Sequence, residues 1–465
     1  MDRLDVAICG NGAASATLFR ALARTTRKPL AVSILGPGSP FAGAAYGTHD
    51  PAHVLNVPAE KMSADASEPS QFADWLRDQG IAVPGWAQSF VRRELYGRYL
   101  SGLAERTRLE FRDRIELTVA QAEVLGLARQ TDGWTVFHTE GVSHARNVVL
   151  ATGHGPPQSL GAHYDEDVAH AIIDDPWSPW NVEATARVLV IGTGLTAIDT
   201  ALSLLGRGHR GQIVLLSRHG RLPQVHVAHG AGTPLPGPYP ARASTLVRSL
   251  RSAVSRDAPA EDWQAFVDAM RPYWHQAWAE LDEAGKRRAL RHGLNLFNAH
   301  RHRIAPRQGS QIAEAIAAGR IEVVRGRLVD LAPACNSVRA RIATRSGEQE
   351  LTFGRVVNCS GPNSDPERGP GTLLKTLIAR GRARPGPAGL GIDVDDQDRV
   401  LSGDGTVQPG LFAMGALTRG KWWEITAMPE ITSQAGRIAQ FLAARQDISA
   451  WALSAKPTGR LLPVT

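Results

Sequence analysis

Two stretches carry residues whose types and order suit phosphate chemistry. In Asp5-Val6-Ala7-Ile8-Cys9-Gly10-Asn11-Gly12-Ala13-Ala14-Ser15, the apolar run Val6–Ile8 reads as a buried strand. Gly10 and Gly12 follow at once, and Ala14 and Ser15 open a helix through Leu18, Phe19 and Leu22. A first glycine permits the tight turn, a second lets backbone approach a pyrophosphate, and a small third residue lets helix pack on strand. Backbone N–H groups and the positive end of the helix then face the phosphates. Ser15 stands where glycine or alanine is usual, and alone the pattern also fits a turn that holds no ligand. A second copy strengthens it. Arg187-Val188-Leu189-Val190-Ile191-Gly192-Thr193-Gly194-Leu195-Thr196 repeats strand, glycine turn and helix, and Gln212–Leu216 supplies the next strand.

The end of that next strand decides which dinucleotide suits each unit. An acid there binds the free ribose hydroxyls, whereas hydroxyl and arginine groups suit an extra 2′-phosphate. After Leu216 come Ser217 and Arg218, which favour NADPH. After Leu30–Leu35 in the first unit come Gly36-Pro37-Gly38, so no acid waits for a ribose. The loop Gly43–Pro58 is dense in glycine and proline yet holds Tyr46, Leu55, Asn56 and Val57; it reads either as part of a site for a flat ligand or as a structured surface loop.

These elements need a scaffold, and the chain is long enough for one. Its 465 residues, 43% hydrophobic and 21% charged, fit a soluble globular protein of two or three domains. No apolar run is long enough to span a membrane and Met1 leads straight into a strand, so a cytoplasmic protein is expected. Cys9, Cys335 and Cys359 form no Cys-x-x-Cys, which disfavours a zinc site, a dithiol centre or a disulfide framework and makes each a core residue. The formal charge of +7 is spread along the chain and suits anionic small ligands better than nucleic acid.

Two strands, Asn147–Leu150 and Arg355–Asn358, each end in a small-residue glycine turn, at Ala151-Thr152-Gly153 and Cys359-Ser360-Gly361. Their pairing with the two glycine turns predicts one nucleotide domain inserted in another. The expected fold is α/β, with two Rossmann-like dinucleotide-binding domains and a helical insertion. The parts are 1–155 and 362–450 for the first domain, 180–361 for the second with its insert at about 222–307, and a tail at 451–465. Within the insert, Trp263, Phe266 and Met270 sit at helical spacing, and Lys286-Arg287-Arg288 makes a basic face. His300-Arg301-His302-Arg303 could suggest a metal, an anion patch or a solvated face; like-charged neighbours oppose the metal. Strand pattern resumes at Ile321–Val324, with an antiparallel hairpin near Val338 and Leu351, and a last helix is expected from Glu430 to Leu442.

The Ala-Tyr-Gly-Thr, Leu-Asn-Val-Pro, Met-Ser and Trp-Leu signatures between Gly43 and Leu76, Gly192–Thr196, His300–Arg303 and Trp423-Glu424-Ile425-Thr426 together resemble a bacterial FAD/NAD(P)-binding protein family. That family includes aspartate N-monooxygenases of the nitrosuccinate-forming type. The resemblance implies a two-dinucleotide flavoprotein using FAD and NADPH. It places Gly10, Gly12, Ala14 and Ser15 at the FAD pyrophosphate. Tyr46, Gly47, Leu55, Asn56, Val57, Met62 and Gly153 would lie along the flavin, and Gly415, Trp423, Glu424 and Ile425 would close its ring end. Many related flavoproteins have an aspartate after the glycine matching Gly415; this chain has Ala416. NADPH would lie on Gly192, Gly194, Leu195, Thr196, Ser217 and Arg218, and Arg301, Arg303, Arg419 and Lys421 are candidates for a substrate anion. The implied activity is a monooxygenase that N-hydroxylates a small amine or amino acid with O2 through a flavin C4a-(hydro)peroxide. A flavin reductase or oxidase without oxygen insertion and a non-catalytic nucleotide sensor are the alternatives. No catalytic acid or base is legible.

Overall fold

A computed structural model describes residues 4–83, 85–155, 157–164, 166–254, 258–368 and 372–444. Pro156, which the sequence makes part of a domain crossing, and the expected tail at 451–465 lie outside the described residues.

Two sheets organise the chain. In the first, five strands run parallel in the spatial order Val407–Ala413, Gly141–Leu150, Leu4–Cys9, Leu30–Leu35, Ile115–Ala120. In the second, Ile321–Ala334, Ile213–Ser217, Val188–Ile191 and Arg355–Asn358 run parallel, with the hairpin strands Ser337–Thr344 and Gly347–Phe353 added antiparallel. In both, the strand that precedes a glycine turn lies between the strand that follows it and the strand of the later crossing. That central position is where strand order reverses, and ligands of open α/β sheets bind beyond the strand ends there. Continuous apolar runs explain the placement: Val6–Cys9 and Val188–Val190 are buried on both faces, as parallel strands covered by helices must be.

The first core packs the helices Ala13–Thr25, Arg93–Glu110 and Met428–Ala444 on one face of the first sheet, through Phe19, Leu22, Tyr99, Leu100, Ile438 and Leu442. The last helix thus comes back some 400 residues later to cover the first. The insert forms its own cluster around Phe266, Met270, Trp274 and Trp278, and Trp423 joins it. Lys286–Arg288 lie on the helix Glu283–His292, where Arg287 and Arg288 are exposed. Cys9 and Cys359 are core residues as expected. Cys335 is not: it is exposed at φ +48° in the turn between Ile321–Ala334 and Ser337–Thr344, where no core is near.

Candidate functional site: two glycine cradles

The two glycine turns are built alike, bond for bond. Gly10 N–H donates to the Leu35 carbonyl at 2.6 Å, and Ala151 N–H donates to Cys9 at 2.8 Å. Gly192 N–H donates to Leu216 at 2.8 Å, and Cys359 N–H donates to Ile191 at 2.9 Å. Gly10 and Gly192 adopt φ +124° and +125°, and a Cβ on either would run into the carbonyl oxygen of Ala151 or Cys359. The first glycine of each turn is therefore required by the crossing strand pressed against it. Gly12 and Gly194 cap the helices Ala13–Thr25 and Leu195–Gly206 in extended conformation, with no side chain capping the free N–H groups. Those donors are left for an anion. Around Gly194 nothing lies within 4 Å of an added Cβ, and half-buried Leu195 and Thr196 follow it.

Asn11 answers the missing acid at Gly36. Its side-chain amide donates toward the carbonyls of Pro37 (2.8 Å), Gly36 (3.1 Å) and Gly38 (3.2 Å). A Cβ on Gly36 would sit 2.7 Å from Asn11 N, so an aspartate cannot fit there. Ser15 is not turned toward a ligand either: its hydroxyl is buried and donates to the Gly10 carbonyl at 2.6 Å. Opposite the turn, Gly43 (φ +57°) opens the short helix Gly43–Tyr46 and approaches Gly12 so closely that its own Cβ would lie 3.1 Å from the Gly12 Cα. Gly47 follows with its N–H on the Gly43 carbonyl. Ala14 faces Gly415 across the same space. Gly10, Gly12, Gly43, Ala14 and Gly415 thus converge on one helix N-terminus, a cradle that side chains would fill. These residues fit a dinucleotide pyrophosphate, with the ribose left to backbone groups of the 36–38 loop.

Other expected flavin residues are placed differently. Leu55 and Met62, 2% and 3% exposed, are core side chains. Asn56 and Val57 are half-buried, and the Asn56 carbonyl meets His226 Nε2 at 3.0 Å. The half-buried Tyr46 stacks edge-on against Tyr96, and burial pushes its hydroxyl up to about 12. Gly153 (φ +72°) is exposed with open space before it. Trp423, Glu424 and Ile425, expected to close the ring end, are all buried, and the first two are spent on the insert. Trp423 stacks on Trp278 at 4.3 Å, and Glu424 pairs with Arg301 at 2.7 Å. Gly415, at φ +67°, gives its N–H to Gln434 Oε1 at 2.8 Å. Gln434 Nε2 in turn donates to Asp398, a fully buried carboxylate that also accepts from Trp422 and Arg437. Asp398, adjacent to no motif, stands in the support of this turn where Ala416 offers nothing.

At the second cradle, Gly220 N–H donates to Ser217 Oγ at 3.0 Å, which ties the hydroxyl into the turn. Arg218 is exposed. Desolvation and then the charges of Arg218, Arg221 and Arg325 hold His219 below the ordinary imidazole range, which marks a shared positive field at the strand end.

The four candidate substrate cations separate cleanly. Arg301 is paired with Glu424, Arg303 with Asp268 and Gln264, and Lys421 with Asp396 at 2.7 Å. The 300–303 run is half-buried or buried rather than a solvated face: Arg301 ties the insert to Glu424, while Arg303 and His300 meet Asp268, Gln264 and Trp263 within the insert. Among the described residues no three His, Cys, Asp or Glu side chains gather as metal ligands. Arg419 has no ion-pair partner among the described residues; its guanidinium lies 4.8 Å over the Trp423 ring and its Nε makes no hydrogen bond. Burial, then the charges of Arg301, Arg419, Arg271 and Arg303, push His302 down to about 3, so it is neutral at pH 7. Desolvation and then the charge of Arg419 hold His154, which follows Gly153, below the ordinary imidazole range.

Two parallel sheets, each with a glycine turn at its switch point and one inserted in the other, define the two-dinucleotide-binding flavoprotein fold. Residues 7–155 match the family model described as FAD-NAD(P)-binding. No curated protein matches the sequence. Among solved structures, the chain is similar to the FAD-bound cadaverine monooxygenase DfoA of Erwinia amylovora (12% identity, TM-score 0.64, all of both chains). It is also similar to the ornithine N-hydroxylase KtzI of Kutzneria sp. 744, solved with reduced FAD, NADP+ and L-ornithine (17%, TM-score 0.59, 96% of this chain and 100% of that one). The bacillithiol disulfide reductase of Bacillus cereus shares the fold as well (12%, TM-score 0.57, 96% and 100%). No helix among the described residues is long and apolar enough to cross a membrane.

Proposed function

We propose that this chain is an FAD- and NADPH-dependent monooxygenase that N-hydroxylates a small amine carrying a carboxylate. The observation that carries the reading is the duplicated cradle, two uncapped helix N-termini behind glycine turns, with Arg419, which makes no ion pair among the described residues, near the first. FAD would lie on Gly10, Gly12, Ala14, Gly43 and Gly415, and NADPH on Gly192, Gly194, Leu195 and Thr196. Arg218, with Arg221 and Arg325, would hold the 2′-phosphate. When bound, the flavin supplies hydride acceptance and oxygen activation, the chemistry that no side chain here performs. The chain's own task is to position and to exclude water. Arg419 would bind the substrate carboxylate; neutral His302 beside it can take or give a hydrogen bond without competing for that charge. The similar structures support the reaction class, since DfoA and KtzI act on cadaverine and ornithine. Aspartate, from the family resemblance, is one candidate among carboxylate-bearing amines.

The test is a product-mass screen with FAD, NADPH and labelled dioxygen over amino acids and their decarboxylated amines. One labelled oxygen is expected in an amino-acid product, with NADPH preferred to NADH. Arg419→Met should raise KM for that substrate by about 100-fold, the worth of a charge-assisted hydrogen-bonded pair of about 2–3 kcal/mol. Equal NADPH consumption with and without every amine, yielding only peroxide, would instead establish an oxidase. Equal use of decarboxylated amines would remove Arg419 from substrate binding.

A further inference from the structure

Three residues on one face of the helix that begins at the second cradle bond the first unit. Asp199 and Ser203 on Leu195–Gly206 and Arg207 at its C-cap are spaced i, i+4 and i+8, so they form a single stripe. Each has a partner near the flavin-side loop. Asp199 accepts from Arg93 at 2.8 Å, Ser203 Oγ meets His53 Nε2 at 2.9 Å, and Arg207 donates to Asp50 at 2.9 Å. The first pair is the buried one, with the Arg93 and Asp199 side chains 12% and 8% exposed.

Arg93 does more than pair. As the first residue of Arg93–Glu110 it donates its backbone N–H to the His53 carbonyl and its Nε to the Val54 carbonyl, both at 2.9 Å. Val54 immediately precedes Leu55-Asn56-Val57. Trp177, between the second-sheet strands Ile172–Ile173 and Val188–Ile191, lies 5.2 Å under the guanidinium and 4.9 Å from the His53 ring. One planar fork therefore holds the loop of the first cradle and a carboxylate five residues beyond the Gly194 cap of the second. A guanidinium can bond both at fixed angles; an ammonium cannot. His53, Ser203 and Asp50 resemble a hydrolytic triad in composition, but His53 and Ser203 are buried.

We infer that Arg93 is a positioning residue that sets the relative placement of the two dinucleotide cradles. The inference rests on the proposed function for its chemical consequence, since the distance between a nicotinamide and a flavin is what the placement would govern. Hydride transfer is steep in that distance, and a misplacement of 1 Å costs about 100-fold. The neighbouring contacts leave each cradle's own donors untouched, so binding of either cofactor alone should not need Arg93.

The experiment uses the full chain and three variants, Arg93→Met, Arg93→Lys and Asp199→Asn. Spin labels on the native exposed Cys335, in the second unit, and on an introduced Asp113→Cys, 95% exposed in the first, report the spacing of the units without any cofactor. A narrow distance distribution is expected for the parent and a broadened or shifted one for Arg93→Met. In loaded protein, anaerobic bleaching of FAD by NADPH should slow by about 10- to 100-fold. Bleaching by dithionite and the separate affinities for FAD and NADP+ should stay within about twofold. Arg93→Lys should behave like Arg93→Met in bleaching. Unchanged distances and unchanged bleaching in Arg93→Met overturn the inference, as does a loss of FAD affinity that matches the loss of rate. Should Arg93→Met fail to fold, Asp199→Asn decides by the same criteria. If the parent neither binds FAD nor reacts with NADPH, the proposed function fails, while the label distances still decide the placement.

Discussion

Replacing Asn11 gives a prediction whose order runs against chemical intuition. The Asn11 amide is 6% exposed and faces three carbonyl oxygens, at 2.8, 3.1 and 3.2 Å. Asn11→Ala removes two N–H donors, each worth about 1 kcal/mol net, so about 2 kcal/mol is lost. For a chain of this size that is an apparent Tm lower by about 2 °C. Asn11→Asp keeps the shape but turns both donors into acceptors, so a carboxylate is forced against three carbonyls. It must either stay charged and repelled or hold a proton at neutral pH, which costs about 1–3 kcal/mol more than alanine does. Thermal unfolding of the apo and FAD-saturated proteins at pH 7.5 reads the order directly. The expected ranking is parent, then Ala, then Asp, with FAD affinity following it, because the 36–38 loop would be the ribose side of the cradle. An aspartate variant as stable as the alanine one would refute the account of why Gly36 carries no acid.

The two glycines of the second turn should separate cleanly. Gly192→Ala meets a carbonyl oxygen at an unfavourable φ and should lose several kcal/mol or the soluble protein altogether, measured by expression and Tm. Gly194→Ala meets nothing and should keep its Tm while weakening NADP+ binding, measured by calorimetry. Arg301→Met leaves Glu424 buried without a partner and should cost about 3–5 kcal/mol, while a double replacement of Arg301 and Glu424 by apolar residues recovers most of it in thermal unfolding. Burial raises the Asp199 carboxyl to about 6 from its ordinary 3.8, against the pull of Arg93 and with a smaller push from Asp50. An acid raised in this way stabilises the fold fully below pH 3.8 and loses that contribution as pH rises through 6. Between pH 5 and 7 the loss is about 1 kcal/mol. Cys359 also faces this group and His53 bonds Ser203 one turn along the helix; His53 is held near 4 and Cys359 near 12, so neither titrates in that window. Asp199→Asn should therefore flatten the fall in Tm between pH 5 and 7, and a variant with the parent's slope would count against the assignment.

Local sequence determined the cradles. An apolar strand, a glycine that must turn sharply and a second that must leave its helix N-terminus bare are requirements of adjacent residues, so their order alone announced both turns, both crossings and the α/β class. The arginine and serine after Leu216 were legible for the same reason, though the Ser217 hydroxyl proved to be tied into its own turn by Gly220. Tertiary structure decided the rest, because the remaining questions concern partners far apart in the chain. Of four basic candidates the sequence could not tell which were neutralised; pairing with Glu424, Asp268 and Asp396 left Arg419. Trp423 and Glu424 looked like ring-end residues by their place after Gly415, yet they face the insert, 120 residues and more earlier in the chain. The 199–203–207 stripe has ordinary helical spacing and gains its meaning only when a loop from the other unit lies against it. Backbone requirements are written in neighbours; the fate of a charge is written in whatever folds against it.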